Sequence, residues 1–360
     1  MSTYIACITM AVFSMLILVF CTFSNYTVSK SARRGIIASA VLIMCCSAAE
    51  CLGILLDGAD PCLRWLHMAV KFAELAVAPF IPIIFANAFQ PSKLRKACFI
   101  LLTVHAAVQF LSIFFGITFY VDENNVYHHC ALYDIYYVAI AVCAAYMVIS
   151  IVKFGRRFQH LDKAVLAMIV TFVVAGVACQ AIYETIRIVW LVVAIGTILF
   201  YIYYCTIIIQ VDGLTELMNR STYERRITSQ RRRAVVLFFD VNDFKDINDK
   251  YGHQFGDECL CAVARALKIA YGKSGLCYRI GGDEFCVILD RRIDLVQELN
   301  ADFNSAMEKM RAKEPRLPSI SIGNSLYEPG SMTFQEAIAN ADAHMYEVKK
   351  QSKAGRNSAH

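Results

Sequence analysis

Seven stretches of about twenty mostly apolar residues fill the first 210 positions: 4–23, 36–56, 66–90, 97–121, 131–152, 164–183 and 187–209. A hydrocarbon core about 30 Å thick is crossed by about 20 helical residues, and inside it every backbone N–H and C=O must be paired. These stretches therefore predict a multi-pass α-helical membrane domain of seven spans. Composition agrees, with 58% hydrophobic residues and a mean hydropathy of +0.48, against roughly 45–50% apolar residues in soluble proteins. The first stretch is too long and too weakly basic at its start for a cleaved signal peptide, and it lacks a clear small-residue cleavage site.

Charge in the connecting loops sets a direction. Loops 24–35, 91–96 and 153–163 are basic, with Lys30, Arg33 and Arg34, then Lys93, Arg95 and Lys96, then Lys153, Arg156, Arg157 and Lys163. Loop 57–65 has Asp57, Asp60 and only Arg64, and loop 122–130 has Asp122 and Glu123 with no Lys or Arg. Basic loops stay cytoplasmic. The N-terminus is thus expected outside, and seven spans deliver the C-terminus to the cytoplasm. The net charge of +5 mostly reflects these loops, so it does not argue for a nucleic-acid partner. Arg231-Arg-Arg233 reads as a solvated or lipid-facing patch.

The remaining 150 residues change character. Val235 to Phe239 is an apolar run with Asp240 at its end, followed by Asn242, Asp243, Lys245, Asn248, Gly252, His253, Gly256 and Asp257. The run reads as a buried strand, and Glu258 to Ile269 as an amphipathic helix. Further on stands Arg279-Ile-Gly-Gly-Asp-Glu-Phe285, leading into Phe285-Cys-Val-Ile-Leu289. This reads as two strands joined by a tight turn that carries carboxylates. Such carboxylates suit Mg²⁺, which takes one or two of them plus substrate phosphates. Alone, an acidic turn is weak evidence, because most are simply solvated.

With these residues the segment resembles the GGDEF family of diguanylate cyclases. It also carries the family's opening Asp212-Gly-Leu-Thr-Glu-Leu-Met-Asn-Arg220, its late Ser321-Ile-Gly323, and its closing Ala341-Asp-Ala-His-Met-Tyr346 with Gly355-Arg-Asn357. The resemblance implies a division into residues 1–210, a sensory or anchor domain, and 211–360, a cytosolic cyclase domain. The latter should be an α/β, nucleotide cyclase or palm-like fold with a mostly antiparallel sheet flanked by helices. It implies condensation of two GTP into cyclic di-GMP with loss of two pyrophosphates, in a homodimer through the GGDEF and membrane domains. It further implies Mg²⁺, with Mn²⁺ as its substitute, held by Asp240, Asp283, Glu284 and the Val241 carbonyl. Glu284 would act as ligand or as base for the 3′-hydroxyl, and Lys245 would steady the phosphates. Asn248, His253 and Asp257 would bind the nucleotide, and Lys349 and Arg356 would hold phosphate.

Three departures stand against the family pattern. About three extra residues precede Gly355, so Lys353 competes with Lys349. Asn242 replaces a common acid. The places of the product-inhibition Arg and Asp are Gly272 and Gly275, so that site is expected to be absent. The rival readings are a catalytically silent GTP-binding GGDEF receptor, which a damaged turn would signal, and a seven-helix transporter, for which no interrupted helices are visible. The fifteen cysteines form no CxxC pair. Cys62 and Cys130 fall in outside loops, where a disulfide can persist. Glu50, Lys71, Glu74, His105 and Asp134 are ionisable groups expected inside spans, with Lys71 and Glu74 three apart on one helical face.

Overall fold

The structure is a computed structural model that describes residues 2–89, 95–156, 163–183 and 187–357. The chain divides into two compact units, one running to Ile208 and one from Ile209. The first contains α1 (Ser2–Ser24), α2 (Lys30–Leu56), α3 (Arg64–Val77), α4 (Phe80–Phe89), α5 (Arg95–Phe115), the strands β1 (Phe119–Val121) and β2 (Tyr127–His129), α6 (Asp134–Arg156), α7 (Lys163–Ile182) and α8 (Val189–Gln210). Among the described residues, six helical segments are long and apolar enough to cross a membrane: Thr3–Ser24, Lys30–Leu56, Pro61–Phe89, Lys96–Phe115, Asp134–Phe154 and Val189–Gln210. The expected sixth span appears as a shorter apolar helix, Ala164–Gln180. Lys93 and Arg157, used in the charge argument, lie outside the described residues.

Two of the expected spans differ in detail, though each keeps a segment long and apolar enough to cross, Pro61–Phe89 and Lys96–Phe115. The stretch 66–90 is interrupted between α3 and α4 at Ala78 and Pro79. Proline has no N–H to give to the carbonyl four residues back. That carbonyl, on Leu75, instead accepts a hydrogen bond from His105 Nε2 of α5 at 3.1 Å. The stretch 97–121 stops being helical at Phe115. Gly116 takes a φ of +59°, which costs glycine little, and the chain enters an antiparallel hairpin with Phe119 opposite His129 and Val121 opposite Tyr127. Asn125 at its tip has a φ of +63° and is fully buried. Its Nδ2 donates to Leu56 O at 2.8 Å.

Of the polar residues expected inside spans, Glu50, Lys71, Glu74 and His105 are buried, and Lys71 Nζ bonds Glu74 Oε2 at 3.0 Å. Gly53 on α2 lets Lys71 pass, since a Cβ there would stand 2.7 Å from Lys71 Cε. Asp134 differs: it is exposed and opens α6, where an acid favours the helix dipole. All fifteen cysteines are free, Cys62 and Cys130 included, so the structure contains no disulfide between them.

The second unit contains α9 (Arg220–Ser229), β3 (Ala234–Val241), α10 (Phe244–Tyr251), α11 (His253–Tyr271), β4 (Gly275–Arg279), β5 (Glu284–Leu289), α12 (Val296–Arg311), β6 (Ile320–Tyr327) and α13 (Phe334–Asn357). The strands form one antiparallel sheet in the order β4-β5-β3-β6. Helices cover both faces, so β3 is buried throughout and reads as a continuous apolar run. Its alternation still sorts the faces. Val235, Leu237, Phe239 and Val241 pack with α11 and α12. Ala234, Val236 and Phe238 pack with α9 and α13. Gly323 of β6 admits α13, because a Cβ there would strike the backbone of Ala341 and Met345.

Candidate active site

The same alternation places the acids. Asp240 follows Phe238 by two residues, and Glu284 precedes Cys286 by two, so both belong to the face that α13 covers. They are opposite one another across the β3–β5 ladder, and Val241 N donates to Asp283 O at 3.3 Å. Asp240 is 6% exposed. Lys349 of α13 reaches it, with Nζ 2.6 Å from Oδ1. A hollow of about 370 Å³ on this face is bounded by Glu284, Asp342, Phe238 and Ile338, among others. A larger one of about 560 Å³ lies away from these acids, between α11 and α12.

The acids burden each other. Burial, and then the charge of Asp240, push the Asp283 carboxyl above its usual range. Burial, followed by Asp283 and Asp240, does the same to Glu284. Among the described residues no three His, Cys, Asp or Glu side chains already converge as a metal cluster. The donor chemistry nonetheless fits a hard divalent cation: three carboxylates at adjoining strand ends, with the Lys349 ammonium lying against one of them.

The turn is held from outside. Arg279 donates to Gly282 O from Nη2 at 2.7 Å and from Nε at 3.2 Å, while its Nη1 bonds Asp212 Oδ1 at 3.1 Å. Burial lifts the Asp212 carboxyl, but the Thr215 hydroxyl and amide and the Arg279 guanidinium outweigh it and hold it below its usual range. Neither turn glycine has a positive φ. A Cβ on Gly281 would come within 2.6 Å of Glu284 Oε2, so that carboxylate would have to move, while a Cβ on Gly282 would meet nothing.

The nucleotide-binding candidates stand on the next two helices. Asp243 turns the chain out of β3 with a φ of +52°, a costly backbone for a non-glycine residue and a mark of functional sites. Lys245 is exposed on the first turn of α10. Gly252, with a φ of +84°, joins α10 to α11. His253 and Asp257 are exposed on α11. Asn248 Oδ1 is buried with no hydrogen-bond partner among the described residues, and a Cβ on Gly256 would collide with it. An orphaned acceptor of this kind fits a ligand N–H. Arg356 and Lys353 fall within α13, but their side chains lie outside the described residues. Asn242 is a clamp and not a ligand: it donates to Ser319 Oγ at 3.0 Å and accepts from Ser321 Oγ at 2.8 Å.

Sequence reasoning gave no role to Asp212, Arg279 or Asp342. The Asp212 and Arg279 motifs were legible, but not their contact across 67 residues. Ile209 and Gln210, the last two residues of α8, belong to this unit and are held within it. Asn219 Nδ2 donates to Ile209 O at 2.7 Å, and Asn219 N and Thr222 Oγ1 donate to Gln210 O at 2.9 and 3.1 Å. These are helix-end carbonyls that otherwise lack donors.

The antiparallel sheet, the acidic turn and the covering helices define a GGDEF domain, and residues 209–355 match the family described as diguanylate cyclase, GGDEF domain. The chain carries this domain after a set of long apolar helices. The probable diguanylate cyclase DgcC of Escherichia coli strain K12 is 32% identical over 162 residues, covering 41% of each chain. The cyclic di-GMP phosphodiesterase PdeB of Shewanella oneidensis is 34% identical over 156 residues, 41% of this chain and 18% of that protein. The crystal structure of the GGDEF domain of PA1120 (YfiN or TpbB) from Pseudomonas aeruginosa is 30% identical, covering 38% of this chain and 92% of that one, with a TM-score of 0.33. The chain spans less than half the length of the curated relatives it matches. Relatives named for synthesis and for hydrolysis both match, so the likeness marks a domain and not its turnover.

Proposed function

We propose that the protein is a membrane-anchored diguanylate cyclase that condenses two GTP into cyclic di-GMP and releases two pyrophosphates. The observation that carries this reading is the arrangement of Asp240 and Glu284 side by side on one sheet face, with Asp283 at the turn. Mg²⁺, or Mn²⁺ in its place, would be held by Asp240, Asp283, Glu284 and the Val241 carbonyl, and would neutralise phosphate charge.

The rest falls to the chain's own groups. Lys245, Lys349 and Arg356 supply positive charge for the phosphates, with Lys353 as the alternative to Lys349. Asn248 Oδ1 and the Asp257 carboxylate accept from the guanine N1–H and exocyclic amine, a donor pattern that adenine lacks, and His253 lies beside them at the start of α11. Glu284 is positioned as a ligand or as acceptor of the 3′-hydroxyl proton. One domain binds one GTP, so two copies must face each other in a homodimer. Seven spans with the N-terminus outside would place residues 211–360 in the bacterial cytoplasm, where GTP is, with residues 1–210 in the bilayer as regulator.

The test is purified full-length protein with radiolabelled GTP and Mg²⁺, followed by product separation. Cyclic di-GMP is expected, and Asp240→Ala and Asp283→Ala should each abolish it. GTP binding without product would favour the second reading, a silent nucleotide receptor. The supporting observation for that reading is Lys349 lying on the carboxylate the metal would need.

A further inference from the structure

α10 is lightly seated. None of its eight residues is fully buried, and Phe244 and Ile247 pack from it against the apolar clusters of the domain while remaining partly exposed. It meets α11 at Gly252, whose φ of +84° is a backbone that glycine adopts freely. The two acceptors assigned to guanine stand on opposite sides of this hinge, Asn248 on α10 and Asp257 on α11. Two N–H groups on one base edge are met together only if the hinge keeps its angle. Attraction between an ammonium and a phosphate is far less directional.

Aromatic rings bracket the hinge. Tyr251 ends α10 and Phe255 lies in the first turn of α11, with ring centroids 5.4 Å apart at 66°. Arg316, from the connection between α12 and β6, covers both. Its Cζ stands 4.3 Å from the Phe255 centroid and 5.4 Å from the Tyr251 centroid, within the range of cation–π attraction. Lys250 Nζ also faces Tyr251, at 5.2 Å, whereas Phe255 has no second cation among the described residues. The guanidinium is itself held. Its Nε and Nη2 donate to the two carboxylate oxygens of Glu314 at 2.7 and 2.8 Å, a bidentate fork that draws the Glu314 carboxyl down to about 2. Beside it Leu317 packs in one cluster with Phe255 and Cys259 of α11 and Ile247 of α10. The connection thus touches both sides of the hinge.

We propose that Arg316 is a positioning residue for guanine, a clasp on the α10–α11 hinge that keeps Asn248 and Asp257 aimed at one base edge. This rests on the assignment of those two acceptors to guanine and adds the part that fixes their spacing. An arginine on two rings also stabilises the fold, but stability alone would serve every nucleotide alike. A clasp on the hinge separates guanine, which needs both acceptors in register, from adenine, which uses neither.

The experiment is calorimetric titration of the full-length protein in detergent, with MgCl₂ present, using 3′-deoxy-GTP and 3′-deoxy-ATP. Neither analogue has the 3′-hydroxyl that would attack, so binding is read without turnover. The unaltered protein should bind 3′-deoxy-GTP the more tightly. Arg316→Ala should weaken 3′-deoxy-GTP about tenfold and 3′-deoxy-ATP less than about twofold, as for a hinge that keeps its binding angle about a tenth of the time. Glu314→Gln loosens the fork and leaves the rings covered. It should cut the preference for guanine about threefold, and it decides the matter if Arg316→Ala fails to fold. Undiminished guanine preference in either folded variant, whether both affinities hold or fall together, would overturn the proposal. An unaltered protein that binds both analogues alike would overturn the assignment of Asn248 and Asp257 along with it, a result distinct from selective binding that Arg316→Ala leaves untouched.

Discussion

Lys349 and Asp240 set up a competition that can be measured without turnover. The ammonium lies 2.6 Å from Oδ1, and the side chains are 24% and 9% exposed. A divalent cation that uses Asp240 must first displace that ammonium. Exposed pairs contribute about 0.2–1 kcal/mol, and breaking a fully buried pair costs about 3–5 kcal/mol. This half-sheltered pair falls between, at about 1–2 kcal/mol, or roughly 5–30-fold in a dissociation constant. Lys349→Met removes the competitor and leaves Asp240 beside Asp283 without its ammonium partner. Its nucleotide-free affinity for Mg²⁺ should therefore rise by about tenfold, while its melting temperature without metal should fall. Calorimetric titration of MgCl₂ into the full-length protein in detergent, with no GTP present, reads the first directly. Unchanged or weaker Mg²⁺ binding in Lys349→Met would refute the idea that the lysine and the metal share one carboxylate.

The other expectations are shorter. Asp283 has its carboxyl raised by burial and then by Asp240, so its ionisation opposes folding as pH rises past the usual carboxylate range; Asp283→Asn should raise the metal-free melting temperature at pH 7, and that gain should vanish at pH 3. Gly256→Ala pushes a methyl into Asn248 Oδ1 and should raise the GTP Michaelis constant by about tenfold or more with the circular dichroism spectrum unchanged. Cyclic di-GMP should leave the initial rate nearly flat in a titration, because Gly272 and Gly275 offer no charge; a Cβ at Gly275 would moreover strike Ile288 O. One to four alanines inserted between Thr206 and Ile207 should give cyclase rates that vary with helical phase, about 100° per residue, and a flat series would reduce the helices to an anchor.

Much of the second unit could be read from local pattern. The run from Val235 to Phe239 and the turn at Gly281 to Glu284 became β3 and the β4–β5 connection because each is set by near neighbours. Lys349 meeting Asp240 was not legible, since 109 residues separate them and only the faces of β3 and α13 bring them together. In the first unit hydropathy overreached. Phe119 to Val121 is as apolar as a span end, yet Gly116 and the Asp122-Glu-Asn-Asn125 tip made a hairpin there. Pro79 was a local signal of a break in the third span that the hydropathy reading passed over, and its consequence, a carbonyl served by His105, depends on another helix. Asp134 was counted inside a span when hydropathy was the only guide. Its place at the start of α6 is the better physical reason for an acid.

The join at the end of α8 has a consequence for how such a protein can change. Asn219 and Thr222 grip Ile209 and Gln210 by their main-chain oxygens alone. Any residues that end a helix at that point present the same two oxygens, so the grip places no demand on which side chains stand at 209 and 210. A different membrane helix could be spliced on at this position and be held equally well. The same join warns against starting a soluble fragment at Val211, because that cut would remove the Ile209 and Gln210 carbonyls and leave Asn219 Nδ2 only the longer bond to Val211 O at 3.4 Å.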